Sequence, residues 1–393
     1  MQLFDAMNIP DPAKLGRYKK SPEQGPKILF FSGGSALRGL CRQLIHYTYN
    51  SIHIITSFDS GGSSATLREA FAMPAVGDVR ARLMDLADLS IQGNREIFAL
   101  FAYRFDQQAD NVALVNELGQ MISGRHRLIA RIPDPMQEII RIHLLLFKKN
   151  MEDDFDLRGA SIGNLILTAG YLENRRHLDP VIDVFARLAM VRGTVRPIVN
   201  KYLHLAAELE DGTTVVGQNL MTGKEVPPIA SRVKKVYITE DRVKHPVYTV
   251  KAGTKTKSLI GAAQLICYPM GSFYSSIIAN LLVDGVGEAI GKNSSPKVYI
   301  PSTGVDPECL GHTIMDQVET IIAYAGQGQP KIRVTDVLNY VVVDQKNGQY
   351  AGKLDRKRLA QLGIQIIDCQ LVSRKSAPEI DENLLLPVLL SLA

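Results

Sequence analysis

Asp59 is followed at once by Ser60, Gly61, Gly62, Ser63 and Ser64. A carboxylate, a glycine pair and hydroxyls in so short a run suit a phosphorylated ligand. Glycine lets backbone amides approach an anion closely, and a helix opening at that point aims its N–H groups the same way. Asp59 can accept hydrogen bonds from a ribose, or hold magnesium beside a phosphate; its plainer role is a turn or N-cap aspartate. It is also the one candidate for a catalytic group. Arg68 lies one helical turn beyond Ser64, where a guanidinium can clamp a phosphate; the plainer reading is an ion pair with Glu69 or Asp78.

Three further groups fit the same chemistry. Gly33, Gly34 and Ser35 form a second glycine loop, too short a signal by itself because it lacks both G-x-G-x-x-G and the Walker lysine. Gly271, Ser272, Tyr274 and Ser275 make a third turn of the same kind. Asp78 and Arg80 open a helix, with Asp78 the natural N-cap, and Asn164 stands at the start of an apolar helix. Singly, each reads as structural; at one sheet edge together they form a ligand site. There is no G-x-S-x-G elbow and no H-E-x-x-H, and the histidines are scattered. Chemistry here would rest on positioning and electrostatics around a phosphate. Neither haem, zinc nor flavin is expected as a prosthetic group.

These loops need strands to hold them. Lys27–Phe31 and Ser51–Thr56 are near-continuous apolar runs, the signature of strands buried on both faces of a parallel sheet. Between them Leu37, Leu40, Cys41, Leu44 and Ile45 make a helical stripe, which predicts a helix over 35–50 with Ser35 at its N-cap. Residues from about 65 to 147 have helical spacing, including 79–89 and 135–148. The acidic run Glu152-Asp153-Asp154-Phe155-Asp156 lacks calcium-loop spacing and reads as a solvated loop. Residues 203–249 alternate, with turn signals at 210–212 and 222–224, and predict a small β-rich excursion with a basic face. Strand runs return at 264–268, 297–300, 341–343 and 364–367. The pattern predicts an α/β fold: a Rossmann-like, doubly wound, mostly parallel sheet. Residues 1–26, with four prolines, are expected as a loosely packed arm. Residues 27–393 form one domain, with a helical insertion at about 90–160 and the β-rich excursion at about 203–257.

Composition bounds the function. The chain of 393 residues is 46% hydrophobic and 22% charged, with a net charge of +5. That charge is too small to indicate a nucleic-acid binder. The four cysteines show no paired spacing, as expected of reduced thiols in a cytoplasmic protein. No apolar stretch has membrane-spanning length and no secretory h-region is expected, so no membrane partner is foreseen.

At these residues the chain resembles the CofD/YvcK family. The strongest segment is Asp59-Ser60-Gly61-Gly62-Ser63-Ser64, then Leu67-Arg68, Gly77-Asp78-Val79-Arg80 and Leu86-Ala87-Asp88. Ser161-Ile162-Gly163-Asn164-Leu165 and Gly271-Ser272-Phe273-Tyr274-Ser275-Ser276 follow in family order. The resemblance spans roughly residues 27–371. It implies a Rossmann-like core with a nucleoside-diphosphate site. YvcK-like members are cytosolic, bind UDP-sugars and are linked to cell-wall precursor synthesis and gluconeogenic growth. CofD members are magnesium-dependent transferases that move a phospholactyl-type group from a guanosine diphospho-donor to a deazaflavin. A homodimer is expected by the same resemblance and from the prevalence of symmetric oligomers. Three departures stand out: the first loop is shortened before Leu37-Arg38-Gly39-Leu40, Ser60 replaces a second aspartate, and Ala160 stands where histidine is common.

Overall fold

A computed structural model describes residues 9–223 and 226–393. Its strands are β1 (Ile28–Ser32), β2 (Ile52–Ile55), β3 (Thr194–Pro197), β4 (His204–Leu209), β5 (Thr214–Val216), β6 (Val233–Thr239), β7 (Leu265–Tyr268), β8 (Lys297–Tyr299), β9 (Tyr340–Val343) and β10 (Gln365–Asp368). Seven of them form one sheet in the order β3-β2-β1-β7-β8-β9-β10, and every neighbouring pair is parallel. β4, β5 and β6 make a separate antiparallel sheet with β4 in the middle, so the β-rich excursion exists as expected. The turn foreseen at 222–224 runs into residues outside those described.

The apolar runs become strands because helices cover both faces of the sheet. In β1, Ile28 and Phe30 join one core while Leu29 and Phe31 join the other, and all four are fully buried. β7 repeats the alternation, with Leu265 and Cys267 on the first side and Ile266 and Tyr268 on the second. The first core also holds the helices Asn94–Ala102, Asn111–Ile122 and Met136–Asn150, which lie in the span 90–160 read as a helical insertion, and the helix Ile162–Glu173 beyond it. The second core packs the small sheet and the helices Val286–Lys292 and Ile314–Gly326.

Several local expectations are corrected. The helix expected over 35–50 runs only Arg38–Leu44, with Leu37 at its N-cap; Ser35 stays in the loop, and its carbonyl accepts from Arg38 N–H at 3.2 Å. The helix expected from 79 begins at Gly77, and Val76, not Asp78, is its N-cap. The N-terminal arm is a helix, Pro12–Lys20, docked on the C-terminal helix Glu382–Leu392; the rest of the arm, residues 1–8, lies outside those described. Asp11 N–H donates to Ser391 Oγ at 2.8 Å, and Lys14 Nζ donates to the Ser391 and Ala393 carbonyls at 2.9 and 2.8 Å. β3 had no sequence signal. Its Pro197 ends an edge strand, where the missing N–H is tolerated. Its buried Arg196 is neutralised by Asp183 and by Asp179 at 3.8 Å. Several basic residues of the excursion are paired: Lys234 with Glu208 at 2.6 Å, Arg232 with Asp316 at 2.8 Å, Arg242 with Glu69 at 2.8 Å. The acidic run at 152–156 is an exposed loop apart from buried Phe155.

Candidate functional site

The strand order reverses at β1: the chain leaves it toward β2 on one side and returns to β7 on the other. A crevice opens at the carboxyl ends of the strands at such a switch point, and ligands of doubly wound sheets bind there. This crevice holds a cavity of about 610 Å³. The loops after β1, β2, β7 and β8 all reach it, contributing Gly33, Gly34 and Ser35; Asp59, Gly61, Gly62, Ser63 and Ser64; Gly271 and Ser272; and Ser302, Gly304 and Asp306. Asp78, Arg80 and Asn164 line it too, so the sequence-expected residues converge, with three exceptions described below.

The first loop is held from behind. Arg82 is fully buried, and its Nη2 donates to the carbonyls of Gly33 and Gly34 at 3.0 and 3.1 Å. Across a planar trans peptide C=O and N–H point opposite ways, so the amides of Gly34 and Ser35 turn from Arg82. Asp78 rests on the same glycines. A Cβ at Gly34 would lie 2.1 Å from Asp78 Oδ1, and one at Gly33 would lie 2.6 Å from Ser276 Oγ.

The second loop opens the helix Gly62–Phe71, with Gly61 at its N-cap. Asp59 Oδ1 accepts from Gly61 N–H at 3.1 Å. Gly62 has φ +49°, left-handed backbone that favours glycine. Ser63 Oγ receives Asn164 Nδ2 at 3.0 Å and Arg104 Nη1 at 3.1 Å. Ser60 hydroxyl donates to Asn219 Oδ1 at 2.6 Å and accepts from Asn219 N–H at 3.1 Å, tying this loop to the short helix Gln218–Met221.

Arg68 does not face the cavity. Its guanidinium is buried and donates to the carbonyls of Phe58 at 3.3 Å, Asp59 at 2.9 Å and Leu203. It braces the Asp59 loop from behind, and burial lowers its pKa. Tyr274 and Ser275 are also turned away. Tyr274 hydroxyl meets His312 Nε2 at 3.3 Å, and Ser275 hydrogen-bonds Glu308 through both N–H and hydroxyl. These residues belong to a π-helical turn, Phe273–Ile278, and it is Ser276 that lines the cavity.

Among the described residues, the cations that do line it are Arg38, Arg80 and Arg104. Arg80 donates to Phe101 carbonyl at 3.4 Å and to Ser161 Oγ. Burial, then the neighbouring Arg104, brings its pKa down to about 10, which leaves it charged at neutral pH. Sequence reasoning missed the roles of Arg38 and Arg104. Arg38 had a signal in Leu37-Arg38-Gly39-Leu40; Arg104 comes from the helical insertion with none. It also missed the turn Asp306-Pro307-Glu308 after β8, whose carboxylates accept Phe273 N–H and Ser275 N–H at 2.8 Å each. Glu308 is fully buried, and burial, then the charge of Asp306, pushes its pKa up to about 8.

Known proteins share this frame. The family model described as 2-phospho-L-lactate transferase CofD matches residues 28–372. The gluconeogenesis factor of Bacillus subtilis (strain 168) is 29% identical over 360 residues, 90% of this chain and 93% of that one. The gluconeogenesis factor of Listeria monocytogenes is 30% identical over 282 residues, 71% of this chain and 67% of that one. The crystal structure of a UPF0052 family member from Bacillus halodurans has the same fold, with a TM-score of 0.66 at 23% identity over 93% of this chain and 99% of that one. With a family model spanning both glycine loops, the switch point and the sheet out to β10, the chain belongs to the CofD family.

Proposed function

We propose that the cleft binds a nucleoside diphosphate bearing a sugar, of the UDP-sugar kind, and that the protein acts as a regulatory binder in cell-wall precursor or central carbon metabolism. The observation that carries this reading is the convergence of two glycine loops and three arginines at the switch point. The helix beginning at Gly62 and the amides turned out by Arg82 suit a diphosphate, and Arg38, Arg80 and Arg104 offset its charge. The gluconeogenesis-factor names of the relatives support the metabolic part.

The donor set fits a magnesium ion. Such an ion takes one or two carboxylates and fills its remaining positions with phosphate and water. Asp59 and Asp78 line the same cavity and would hold it. When bound it would neutralise phosphate charge and polarise a phosphoryl group. That pair of carboxylates favours a second reading, a transferase moving a phospholactyl-type group from a guanosine diphospho-donor. Asp78 would then stand in for the acid that Ser60 replaces.

The test is a thermal-shift panel of UDP-sugars, UDP and GDP, with and without magnesium. A ligand at about 100 times its Kd adds roughly 2.7 kcal/mol. Stabilisation by UDP-sugars, lost in Asp59→Asn and Gly62→Val, is expected. Magnesium-dependent stabilisation by GDP, with turnover of a GDP-linked donor, selects the transferase. Shifts unchanged in both variants would refute this placement of the ligand.

A further inference from the structure

Asp85 is the last residue of the helix Gly77–Asp85 and is buried, and its Oδ2 has no hydrogen-bond partner among the described residues. Its Oδ1 faces two guanidinium groups of the neighbouring helix Arg38–Leu44, Arg38 Nε at 3.7 Å and Arg42 Nη2 at 3.9 Å. These are ion-pair distances, too long for hydrogen bonds. Burial raises the Asp85 pKa, and the charges of Arg82, Arg38, Arg42 and Arg80 lower it, in that order. A carboxylate taken out of water needs such partners. Their other contacts separate them. Arg82 commits its Nη groups to Cys41 Sγ and to the Gly33 and Gly34 carbonyls. Arg42 lies over the Phe98 ring and, like Asp85, is not part of the cleft lining. Arg38 is part of that lining.

We propose that Asp85 is a positioning residue of the cleft: it anchors Arg38 by Nε from behind, so that the Nη1–Nη2 edge of the guanidinium is presented to a phosphate of the ligand. A guanidinium has five N–H donors in a rigid fork, and a partner at Nε leaves the far edge for a bidentate clasp. Arg38 needs this more than the other two cleft cations. Arg80 is held by the Phe101 carbonyl and Ser161 Oγ, and Arg104 by Ser63 Oγ and the Gly159 carbonyl at 3.1 Å each. Asp85 is the ion partner of Arg38, whose side chain is 58% exposed. Without that anchor, a long side chain would lose more rotamer freedom on clasping the ligand. The helix Gly77–Asp85 then sets the cleft at three points. Asp78 and Arg80 line it directly, Arg82 holds the first glycine loop, and Asp85 holds Arg38. The proposal rests on the function proposed above for its phosphate ligand; the anchor itself does not.

The sign of one substitution separates an anchor from a plain buried charge. Asp85→Asn removes a negative charge near an anion's site, so electrostatics alone predicts tighter binding. Loss of the anchor predicts weaker binding. The probe is inorganic pyrophosphate without magnesium, followed by calorimetry at constant ionic strength. Asp85→Asn should weaken it about five-fold, a modest coupling for charges in contact. In an Arg38→Met background Asp85→Asn should have no further effect. Equal or tighter binding in Asp85→Asn, or losses that simply add in the double variant, overturns the proposal. Arg38→Lys, at an exposed position, tests the same link should Asp85→Asn fold poorly: it keeps the charge, lacks Nε, and should bind pyrophosphate several-fold more weakly, and unchanged binding overturns the proposal. A ligand-free readout tests the anchor alone. The Arg38 Nε–H resonance, assigned by its loss in Arg38→Met, should exchange with water faster in Asp85→Asn than in wild type. If it does while wild type binds neither pyrophosphate nor UDP nor GDP, the phosphate reading of the cleft fails and the anchor stands. If the resonance is the same in both proteins, the anchor fails whatever the cleft binds.

Discussion

Replacing Glu308 with glutamine should make the protein more stable as pH rises, relative to wild type. Glu308 has no exposed surface. Burial first, then the negative charge of Asp306, moves its pKa from an ordinary 4.5 to about 8, although the hydrogen bonds from Ser275 pull the other way. The folded chain therefore keeps a proton between those values that the unfolded chain gives up. Stability from this group is fully present below about pH 4.5 and is lost as pH climbs to about 8. The slope is about 1.4 kcal/mol per pH unit, so between pH 5.5 and 7.5 the wild type should lose on the order of 2–3 kcal/mol relative to the variant. Glutamine keeps the shape, keeps an acceptor for Ser275 N–H and carries no charge. The assay is urea denaturation at a series of pH values without ligand. Far-UV circular dichroism is the probe, because the chain has no tryptophan. Taking the difference between two proteins cancels the titration of every distant group. Two parallel stability–pH curves would refute the reasoning: Glu308 would then be ionised in the fold at neutral pH, held by its Ser275 donors.

Three more changes probe the cleft. Gly34→Ala puts a Cβ 2.1 Å from Asp78 Oδ1 and 2.9 Å from its Cγ. Asp78 must swing into the cavity, and nucleotide affinity should fall about ten-fold, roughly 1.4 kcal/mol by calorimetry, with the melting temperature little changed. Arg82→Met strips buried, charged donors from the Gly33 and Gly34 carbonyls and from Cys41 Sγ, and removes the positive charge that most lowers the pKa of buried Asp85. It should cost about 3 kcal/mol in urea denaturation, and a loss below about 1 kcal/mol would mean that the loop does not lean on it. Ser60→Asp puts an acid beside Asp59; Asn219 can still donate its N–H to the new carboxylate. Magnesium should then raise nucleotide affinity more in the variant than in wild type, and equal magnesium dependence would count against a metal at Asp59.

The legible part of the fold was the part in which one residue's surroundings repeat along the chain. β1, β7 and β9 are buried on both faces, so continuous apolar runs marked them. β3 mixes Thr194, Arg196 and Pro197, and becomes a strand only because the sheet edge and Asp183 accept those residues. The glycine loops were legible as loops, and the switch point explains why they meet. Side-chain direction was not. Helical spacing set Arg68 one turn from Ser64, and both do lie on one face of Gly62–Phe71; that face also carries Leu67 and Phe71 and is buried. The same limit applied to the turn after β7, where a π-helical stretch sent Tyr274 and Ser275 inward and left Ser276 at the cavity. Arg104 and Glu308 act across long sequence separations, on Ser63 and Ser275, and no local pattern carries that information.

The glycines of the cleft have two functions at once, and this bears on how their substitution is to be read. Gly33 admits Ser276, Gly34 admits Asp78, and Gly77 admits Ser64, whose Oγ would lie 2.5 Å from a Cβ there. At each point the absent Cβ is what lets one loop sit against the next, so the β1 loop, the turn Phe273–Ile278, the Gly62 helix and the Gly77 helix are keyed together by three missing methyl groups. Asp59 is part of the same joint, since its Oδ2 would lie 3.3 Å from a Gly77 Cβ. A larger residue at any of these glycines therefore displaces a neighbouring element as well as the backbone facing the ligand. Loss of binding in a glycine variant cannot by itself separate a lost phosphate contact from a shifted carboxylate. Asp59→Asn can, because it changes charge and leaves the joint its shape. If Asp59→Asn abolished the effect of magnesium while Gly77→Ala weakened binding with and without it, the carboxylate would be acting on the ion and the glycine on the geometry. If both variants behaved alike, the joint alone would account for the requirement for Asp59.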